Sequence, residues 1–124
     1  MDITPLIPAG RQVINGYGDG GFTVAGTRWE GSVLVLPDRT LAWAPRTPAD
    51  ITEDSLAPLL ECRPRPELLL LGTGREMTSV PPALRLALRA AGIKLDVMDT
   101  GAACRTFAVL MAEDRLVAAA LIAV

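Results

Sequence analysis

The sequence of 124 residues contains no histidine. This excludes Ser-His-Asp and Cys-His catalytic systems, histidine-ligated metal centres and the usual proton shuttle of physiological pH. There are two cysteines, Cys62 and Cys104, and neither lies in a pairing motif. Two isolated thiols do not supply the ligands of a zinc site or an iron–sulfur cluster, and they suit a reducing cytoplasm. We therefore expect no metal, no cofactor and no catalytic residues.

Aromatic residues and long apolar runs are also scarce. Aromatics make up 4% of the chain although 50% of it is hydrophobic, so the core is expected to consist of aliphatic layers. The most apolar stretch, residues 116–124, is far shorter than the roughly 20 residues that cross a bilayer. Residues 1–10 lack the features of a secretory signal. We expect one soluble, cytoplasmic domain over residues 1–124 with no transmembrane segment.

Positive charge is in slight deficit. The 12 basic and 14 acidic residues leave a net charge of -2, which provides no field that would attract a phosphate backbone. The arginines are scattered along the chain, and Arg63 and Arg65 are the closest approach to a basic cluster. Nucleic-acid binding is not expected, whereas a local anion site stays open.

The first half of the chain has the pattern of short strands. Residues 12–17 and 22–25 flank a glycine-rich turn, and residues 29–36 and 40–44 flank a Pro-Asp turn. This pattern predicts a β-meander. Most of the aromatic side chains lie here, where they are either cross-strand packing residues or an exposed partner-binding face.

The second half alternates strands and helices. Residues 67–71 form an apolar run without alternation that ends at Gly72, which is typical of a strand covered on both faces. Proline at helix starts, glycine after helix ends and polar N-cap residues mark the other boundaries. The predicted order is a helix over 52–60, then a strand over 67–71, a helix from 81–82 to 91, a strand over 93–98, a helix from Asp99 or Thr100 to 112, and a strand over 116–122. The last five of these form a β-α-β-α-β run.

A candidate ligand site lies where two of these strands end. If the strands over 67–71 and 93–98 are parallel neighbours, the turn at 72–74 and the helix start at 99–106 share one sheet edge, where open α/β sheets bind ligands. Backbone amides, threonine hydroxyls and an arginine there are able to converge on an anion. The residues of this site are Gly72, Thr73, Gly74, Arg75, Asp99, Thr100, Cys104 and Arg105.

Each part of this site also has a purely structural interpretation. The glycine turn lacks the third glycine of a dinucleotide fingerprint, since Met77 stands there, and no Gly-Lys-Ser/Thr follows. In the structural interpretation, the glycines form a tight turn at the end of the strand, and Asp99 or Thr100 caps the helix. Cys104 is either a small core residue or a thiol activated by the helix start and Arg105.

Several segments together resemble one family, the bacterial and archaeal relatives of mitochondrial NADH:ubiquinone oxidoreductase assembly factor 3. They span most of the chain in the expected order, which is more specific than any single motif. The segments are INGYG at 14–18 leading to Phe22, GSVLV at 31–35, LLGTG at 70–74, MDTGAACRTF at 98–107 and EDRLVAA at 113–119. The resemblance implies a three-layer α/β fold with a mixed central sheet, in which one strand runs antiparallel to the others.

For function, the resemblance implies an assembly or accessory protein of respiratory complex I in mitochondria and an uncharacterised role in bacteria. The leading hypothesis is a non-enzymatic protein that binds partner proteins, among them respiratory complex subunits. The alternative is a protein that binds a small anion or nucleotide-like ligand, or an unusual enzyme, using the cleft between residues 72–74 and 100–106. Homo-oligomerisation is compatible with both. Ala108 stands where the family commonly has asparagine.

Overall fold

The computed structural model describes residues 11–124, and the predictions made for residues 1–10 lie outside the described residues. This part of the chain is an α/β fold of eight strands and three helices. The strands are β1 Ile14–Gly18, β2 Gly21–Val24, β3 Thr27–Glu30, β4 Val33–Val35, β5 Thr40–Ala42, β6 Leu68–Gly72, β7 Lys94–Met98 and β8 Val117–Leu121. The helices are α1 Ala57–Glu61, α2 Pro82–Ala90 and α3 Thr100–Ala112.

Five strands form the central sheet, in the order β5-β4-β8-β6-β7. The β6 strand is parallel to both β7 and β8, whereas β4 is antiparallel to both β5 and β8. A mixed sheet with one reversed strand is therefore confirmed, as is the β-α-β-α-β run from β6 onward. The last strand in the chain, β8, lies in the middle of the sheet.

The N-terminal antiparallel strands divide between two sheets. Strands β1, β2 and β3 form a separate three-stranded sheet in which Phe22 is opposite both Tyr17 and Trp29. The chain leaves this sheet at Gly31, whose φ of 83° requires glycine in practice, and β4 then enters the central sheet. The prediction of one strand over 29–36 was wrong because this break separates β3 from β4.

The central sheet is covered on both faces, which gives the three layers. Alternate residues of a strand face opposite sides. Accordingly, Leu69 and Leu71 belong to a core with α1 and α2, whereas Leu70 belongs to a core with α3 and the small sheet. Strand β8 is fully buried and contributes Ala118, Ala119 and Ala120 to these two cores. Small side chains at its centre allow both covering layers to approach the sheet closely.

The boundaries of α2 and α3 follow the predicted signals. The helix predicted over 52–60 was wrong at its start, because residues 54–56 form a 3₁₀ turn and α1 begins only at Ala57, whose next residue is proline. Helix α2 begins with proline, buries Leu84 and Leu88, and is followed by Gly92 at a φ of 81°. Helix α3 is capped by Asp99, whose Oδ1 accepts a hydrogen bond from the Ala102 amide at 2.9 Å, so the choice between Asp99 and Thr100 is settled. Within residues 11–124, none of the helices combines the length and the apolar character that a bilayer span requires.

Candidate functional site

The carboxyl ends of the three parallel strands meet at one edge of the central sheet. Gly72 at the end of β6 is opposite Met98 of β7 and Leu121 of β8. The turn after Gly72 and the start of α3 are consequently neighbours, as the parallel arrangement predicts. The backbone amide of Thr100 donates to the Gly74 carbonyl at 2.8 Å, which joins the two segments directly.

Thr100 links the segments that follow two strands. Its side chain is fully buried, and its hydroxyl accepts from the Gly74 amide at 2.9 Å and donates to the Ile122 carbonyl at 2.8 Å. Gly72 makes room for this residue, because a Cβ atom at Gly72 would lie 2.9 Å from the Thr100 Cα. The pair is therefore a structural clasp that fixes the sheet edge.

A cleft of about 420 Å³ opens beside this clasp, between the sheet edge and the small sheet. Four of the eight predicted site residues line it. The lining residues are Tyr17, Gly18, Asp19, Gly74, Arg75, Asp99, Gly101, Arg105 and Val124. Two arginines and two aspartates thus face a common space.

The other four predicted residues face the protein interior. Gly72 and Thr100 form the clasp, and the Thr73 hydroxyl donates to the Glu76 carbonyl at 2.7 Å while accepting from the Thr78 amide at 3.0 Å. The expectation that the threonine hydroxyls converge on an anion is corrected by these bonds, since both hydroxyls are used within the fold. Their physical role is to shape the edge on which the cleft is built.

Cys104 is the fourth interior residue. Its side chain lies on the inner face of α3 and is buried in the core. This burial raises the pKa of the thiol to about 12, against a smaller opposing effect of the Arg105 charge. Desolvation disfavours the charged thiolate. Of the two interpretations of Cys104, the geometry supports the small core residue and opposes an activated nucleophile.

Tyr17 is the cleft residue that sequence reasoning assigned only to strand packing or a partner face. Its phenol oxygen accepts a hydrogen bond from Nη1 of Arg105 at 3.1 Å, which joins the small sheet to α3. Gly101 permits this contact, because a Cβ atom there would lie 2.8 Å from the phenol oxygen. The available signal was the glycine on each side of Tyr17 together with Gly101 in the helix start.

The two arginines of the cleft differ in their surroundings. Arg105 is held by Tyr17, whereas the guanidinium of Arg75 makes no hydrogen bond or ion pair with any residue of the described range 11–124. Asp99 is already engaged as the α3 cap. The exposed cation of Arg75 is therefore the group in this cleft that is most available to a ligand or partner.

The sequence comparisons identify the family. Residues 14–122 match the profile of a family described as a protein of unknown function (DUF498/DUF598). This chain belongs to that family. The chain is 38% identical over 109 residues to NADH dehydrogenase [ubiquinone] 1 alpha subcomplex assembly factor 3 of Mus musculus, covering 88% of the chain and 59% of the mouse protein. It is 34% identical over 114 residues to an uncharacterised protein of Rhodobacter capsulatus, covering 92% and 86% of the two chains.

Solved structures of family relatives have the same fold. A Bartonella henselae protein described as an outer membrane protein superposes with a TM-score of 0.84 at 42% identity, covering 95% of this chain and 98% of that one. A Bordetella pertussis protein described as an Mth938-like domain has a TM-score of 0.80 at 32% identity, covering 98% and 91%. The chain spans about three fifths of the length of the mouse assembly factor that it matches.

Proposed function

We propose that this family member is an accessory protein that acts by binding partner proteins, and that it supports assembly of respiratory complex I in an organism that has this complex. The observation that carries the proposal is the match over 88% of the chain to a protein named as a complex I assembly factor. The family profile matches residues 14–122, which include every strand from β1 to β8, so the family relation rests on the whole strand framework rather than on one motif.

The geometry of the cleft supports a role in recognition. Three of the segments that carry the family resemblance, INGYG, LLGTG and MDTGAACRTF, come together around it. They present Tyr17, which is 43% exposed, beside the exposed guanidinium of Arg105. Tyrosine and arginine are the residues that most often dominate protein interfaces, because they combine apolar area with directed hydrogen bonds.

The test is a gene deletion in the source organism. We expect less fully assembled complex I on native gels of the deletion strain, with restoration by the wild-type gene. An Arg105→Ala variant should restore less complex than an Arg39→Ala variant, which removes an exposed arginine that is absent from the cleft lining. A deletion strain with an unchanged complex I level, and no complex I subunit co-purifying with the protein, would contradict the assembly role.

We place the protein in the cytoplasm as part of the same proposal. Both cysteines are free, which is the usual state in a reducing compartment. Fractionation of cells that carry an epitope-tagged chromosomal copy would check this placement. Recovery of the protein in the periplasmic or outer-membrane fraction would overturn it.

A second function is favoured by the guanidinium of Arg75, which has no hydrogen-bond or ion-pair partner among residues 11–124 and lies in a cleft of about 420 Å³. In this alternative, Arg75 and Arg105 hold a small anion or a nucleotide-like ligand, and the Gly74 turn brings the backbone close to it. Arginine is well suited to such ligands because its planar donors match carboxylate and phosphate oxygens. The carboxylates of Asp19 and Asp99 line the same cleft and repel negative charge. The negative group of the ligand would therefore have to lie beside the two arginines and away from these carboxylates.

Calorimetric titration with inorganic phosphate and with adenosine monophosphate tests this alternative. We expect binding that weakens at least about tenfold in Arg75→Gln, since one charged hydrogen bond contributes about 1.5–3 kcal/mol. Binding should be unchanged in Arg39→Gln, which alters an exposed arginine absent from the cleft lining. Identical weak heats for the wild type and Arg75→Gln would remove the basis for a ligand in this cleft.

A further inference from the structure

A second surface, at the opposite side of the central sheet from β5, carries its own pattern of charge and hydrogen-bonding groups. Strand β7 is the outermost strand of the sheet, and it pairs with β6 and with no other strand of residues 11–124. An outer strand presents backbone amides and carbonyls that another extended segment is able to pair with. We call this surface, formed by Lys94–Met98, the β7 edge.

The direction of the backbone groups along the β7 edge follows from two hydrogen bonds. The Lys94 amide donates to the Glu67 carbonyl at 3.0 Å, and the Met98 carbonyl accepts from the Thr73 amide at 3.0 Å. Residues 94 and 98 thus face the sheet. Because successive residues of a strand alternate in direction, Leu95 and Val97 point their amides and carbonyls away from it.

One of these outward groups is already covered by a cation. Nη1 of Arg85, on the exposed face of α2, donates to the Leu95 carbonyl at 2.9 Å. A positive side chain over an outer strand is a recognised means of preventing uncontrolled pairing. Among residues 11–124, the Leu95 carbonyl oxygen is the one acceptor that holds the Arg85 guanidinium. A carboxylate on an incoming segment would compete for this guanidinium with a stronger, charge-assisted bond.

The space beside this contact is basic. A groove of about 470 Å³ runs between α2 and the β7 edge, and its lining residues are Arg85, Arg89, Gly92, Ile93, Lys94 and Leu95. Three of the six are cations and none is an acid, in a chain whose net charge is -2. Arg65 adds a fourth cation beside the groove through its bond to the Ala91 carbonyl at 3.1 Å.

The neighbouring carboxylates leave this positive charge in place. Glu67, whose carbonyl pairs with Lys94, has its carboxylate ion-paired with Arg115 at 3.0 Å. Asp96 lies on β7 itself, and alternation directs its side chain, like that of Lys94, to the opposite face of the sheet from Leu95. The cations on the α2 side of the groove are therefore Arg85 and Arg89. The Arg89 side chain makes no hydrogen bond or ion pair within the described chain.

From these observations we infer that the β7 edge and its groove bind an acidic extended segment of a partner protein, which adds as a further strand beside Leu95 and Val97. Backbone pairing supplies the affinity, and the cations of Arg85 and Arg89 select acidic side chains at alternate positions of the segment. Carboxylates displace Arg85 from the Leu95 carbonyl, so the edge opens to acidic segments and stays covered against others. This inference rests on the proposed accessory function, because it names the surface through which a partner binds.

The test uses a fluorescent octapeptide of alternating glutamate and valine as the probe. Two matched peptides accompany it, one with lysine in place of glutamate and one with N-methyl groups on alternate amides, which cannot pair as a strand. We expect fluorescence anisotropy to report binding of the first peptide, and we expect each of the other two peptides to bind at least about tenfold more weakly. No binding of the first peptide up to about 1 mM, or equal binding of all three, would overturn the inference.

Two protein variants locate the site. Arg89→Glu disturbs no described contact and should weaken binding of the acidic peptide about tenfold, whereas Arg46→Glu, an exposed charge reversal elsewhere, should leave it unchanged. Bound peptide should slow hydrogen exchange at the Leu95 and Val97 amides. Equal affinities of the two variants, absent protection at these amides, or sedimentation showing that a second copy of the chain occupies the edge would each refute the inference.

The two proposals fail separately. If the acidic peptide does not bind, or binds no better than its two controls, while the deletion strain has less complex I, the inference falls and the accessory function stands. If the peptide binds as expected but the deletion strain assembles complex I normally, the assembly role falls and the edge remains a peptide-binding surface.

Discussion

The hydroxyl of Thr100 and the carbonyl oxygen of Ile122 lie 2.8 Å apart in the fully buried clasp at the sheet edge. The same hydroxyl accepts from Gly74, so one side chain joins the start of α3 to the segments after β6 and β8. Replacement by a group of the same shape without the hydroxyl leaves a buried donor and a buried acceptor unpaired, which is more costly than the loss of an exposed bond.

We therefore expect Thr100→Val to lower the free energy of unfolding by about 2 kcal/mol. Urea denaturation followed by circular dichroism measures the change. Thr27→Val is the matched control, because Thr27 is exposed on β3 and its side chain makes no hydrogen bond among the described residues. Equal stability of the two variants would show that the clasp contributes nothing measurable.

Gly72→Ala should also destabilise the protein. The added Cβ would lie 2.9 Å from the Thr100 Cα, and a backbone atom is unable to move aside as a flexible side chain does. Overpacking of this kind costs about 1–3 kcal/mol. Gly16→Ala is the control, since nothing lies within 4 Å of a Cβ at that strand position. Thermal midpoints of the two variants that coincide would contradict the close approach.

Ala25→Asn should stabilise the protein by about 0.5–1 kcal/mol. Ala25 and Gly26 form the two-residue turn between β2 and β3, and both have positive φ, 48° and 81°. Such a turn favours Asn-Gly, because asparagine tolerates this conformation better than alanine. At the other turn position, Gly26→Ala should destabilise the protein by about 1 kcal/mol, because alanine tolerates positive φ less well than glycine. Denaturant midpoints of the wild type and the two variants measure both changes. A lower midpoint for Ala25→Asn would argue against this turn geometry.

Cys104 should make the protein lose stability in alkaline solution. Burial raises the pKa of its thiol to about 12 from the ordinary 9.0, so between these values the unfolded chain releases a proton that the folded chain retains. The contribution of Cys104 to stability is then constant below pH 9 and is lost as the pH rises toward 12. The fall should be shallower in Cys104→Ala, which isolates this group from the other residues that titrate there.

Thiol chemistry gives an independent measurement of the same group. Iodoacetamide attacks the thiolate, and burial reduces both the thiolate fraction and access. Alkylation of Cys104 at pH 8 should therefore be slow in the folded protein and fast in urea. Rapid modification of the folded protein at Cys104, located by mass spectrometry, would restore the activated-thiol interpretation.

Local sequence signals accounted for most of the second half of the fold. The apolar run before Gly72, the prolines at the start of α2 and Gly92 after it each mark a boundary by a local steric or hydrogen-bonding requirement. The division between β3 and β4 was not predictable in this way. Both are rich in β-forming residues, and their membership in different sheets depends on pairing with Phe22 in one case and Leu121 in the other.

The candidate site was predictable to the extent that parallel strands align their ends. This rule brought Gly74, Asp99 and Arg105 to one edge, and the cleft contains all three. It did not indicate which hydroxyls would be hydrogen-bonded to the backbone. Thr73 and Thr100 donate to carbonyls of Glu76 and Ile122, which come within reach only when the sheet edge has folded. Nor did it indicate Tyr17, which meets Arg105 across 88 positions of sequence.

The central position of β8 has a consequence for how the protein is made. Ribosomes deliver strands in chain order, yet the strand that joins β4 to β6 emerges after both of them. Until then the nascent chain holds two incomplete half-sheets with open pairing edges, a condition in which chains are prone to associate wrongly. The small sheet, whose strands are joined by two-residue turns, is free to form much earlier, since local hairpins close within about 1–10 μs.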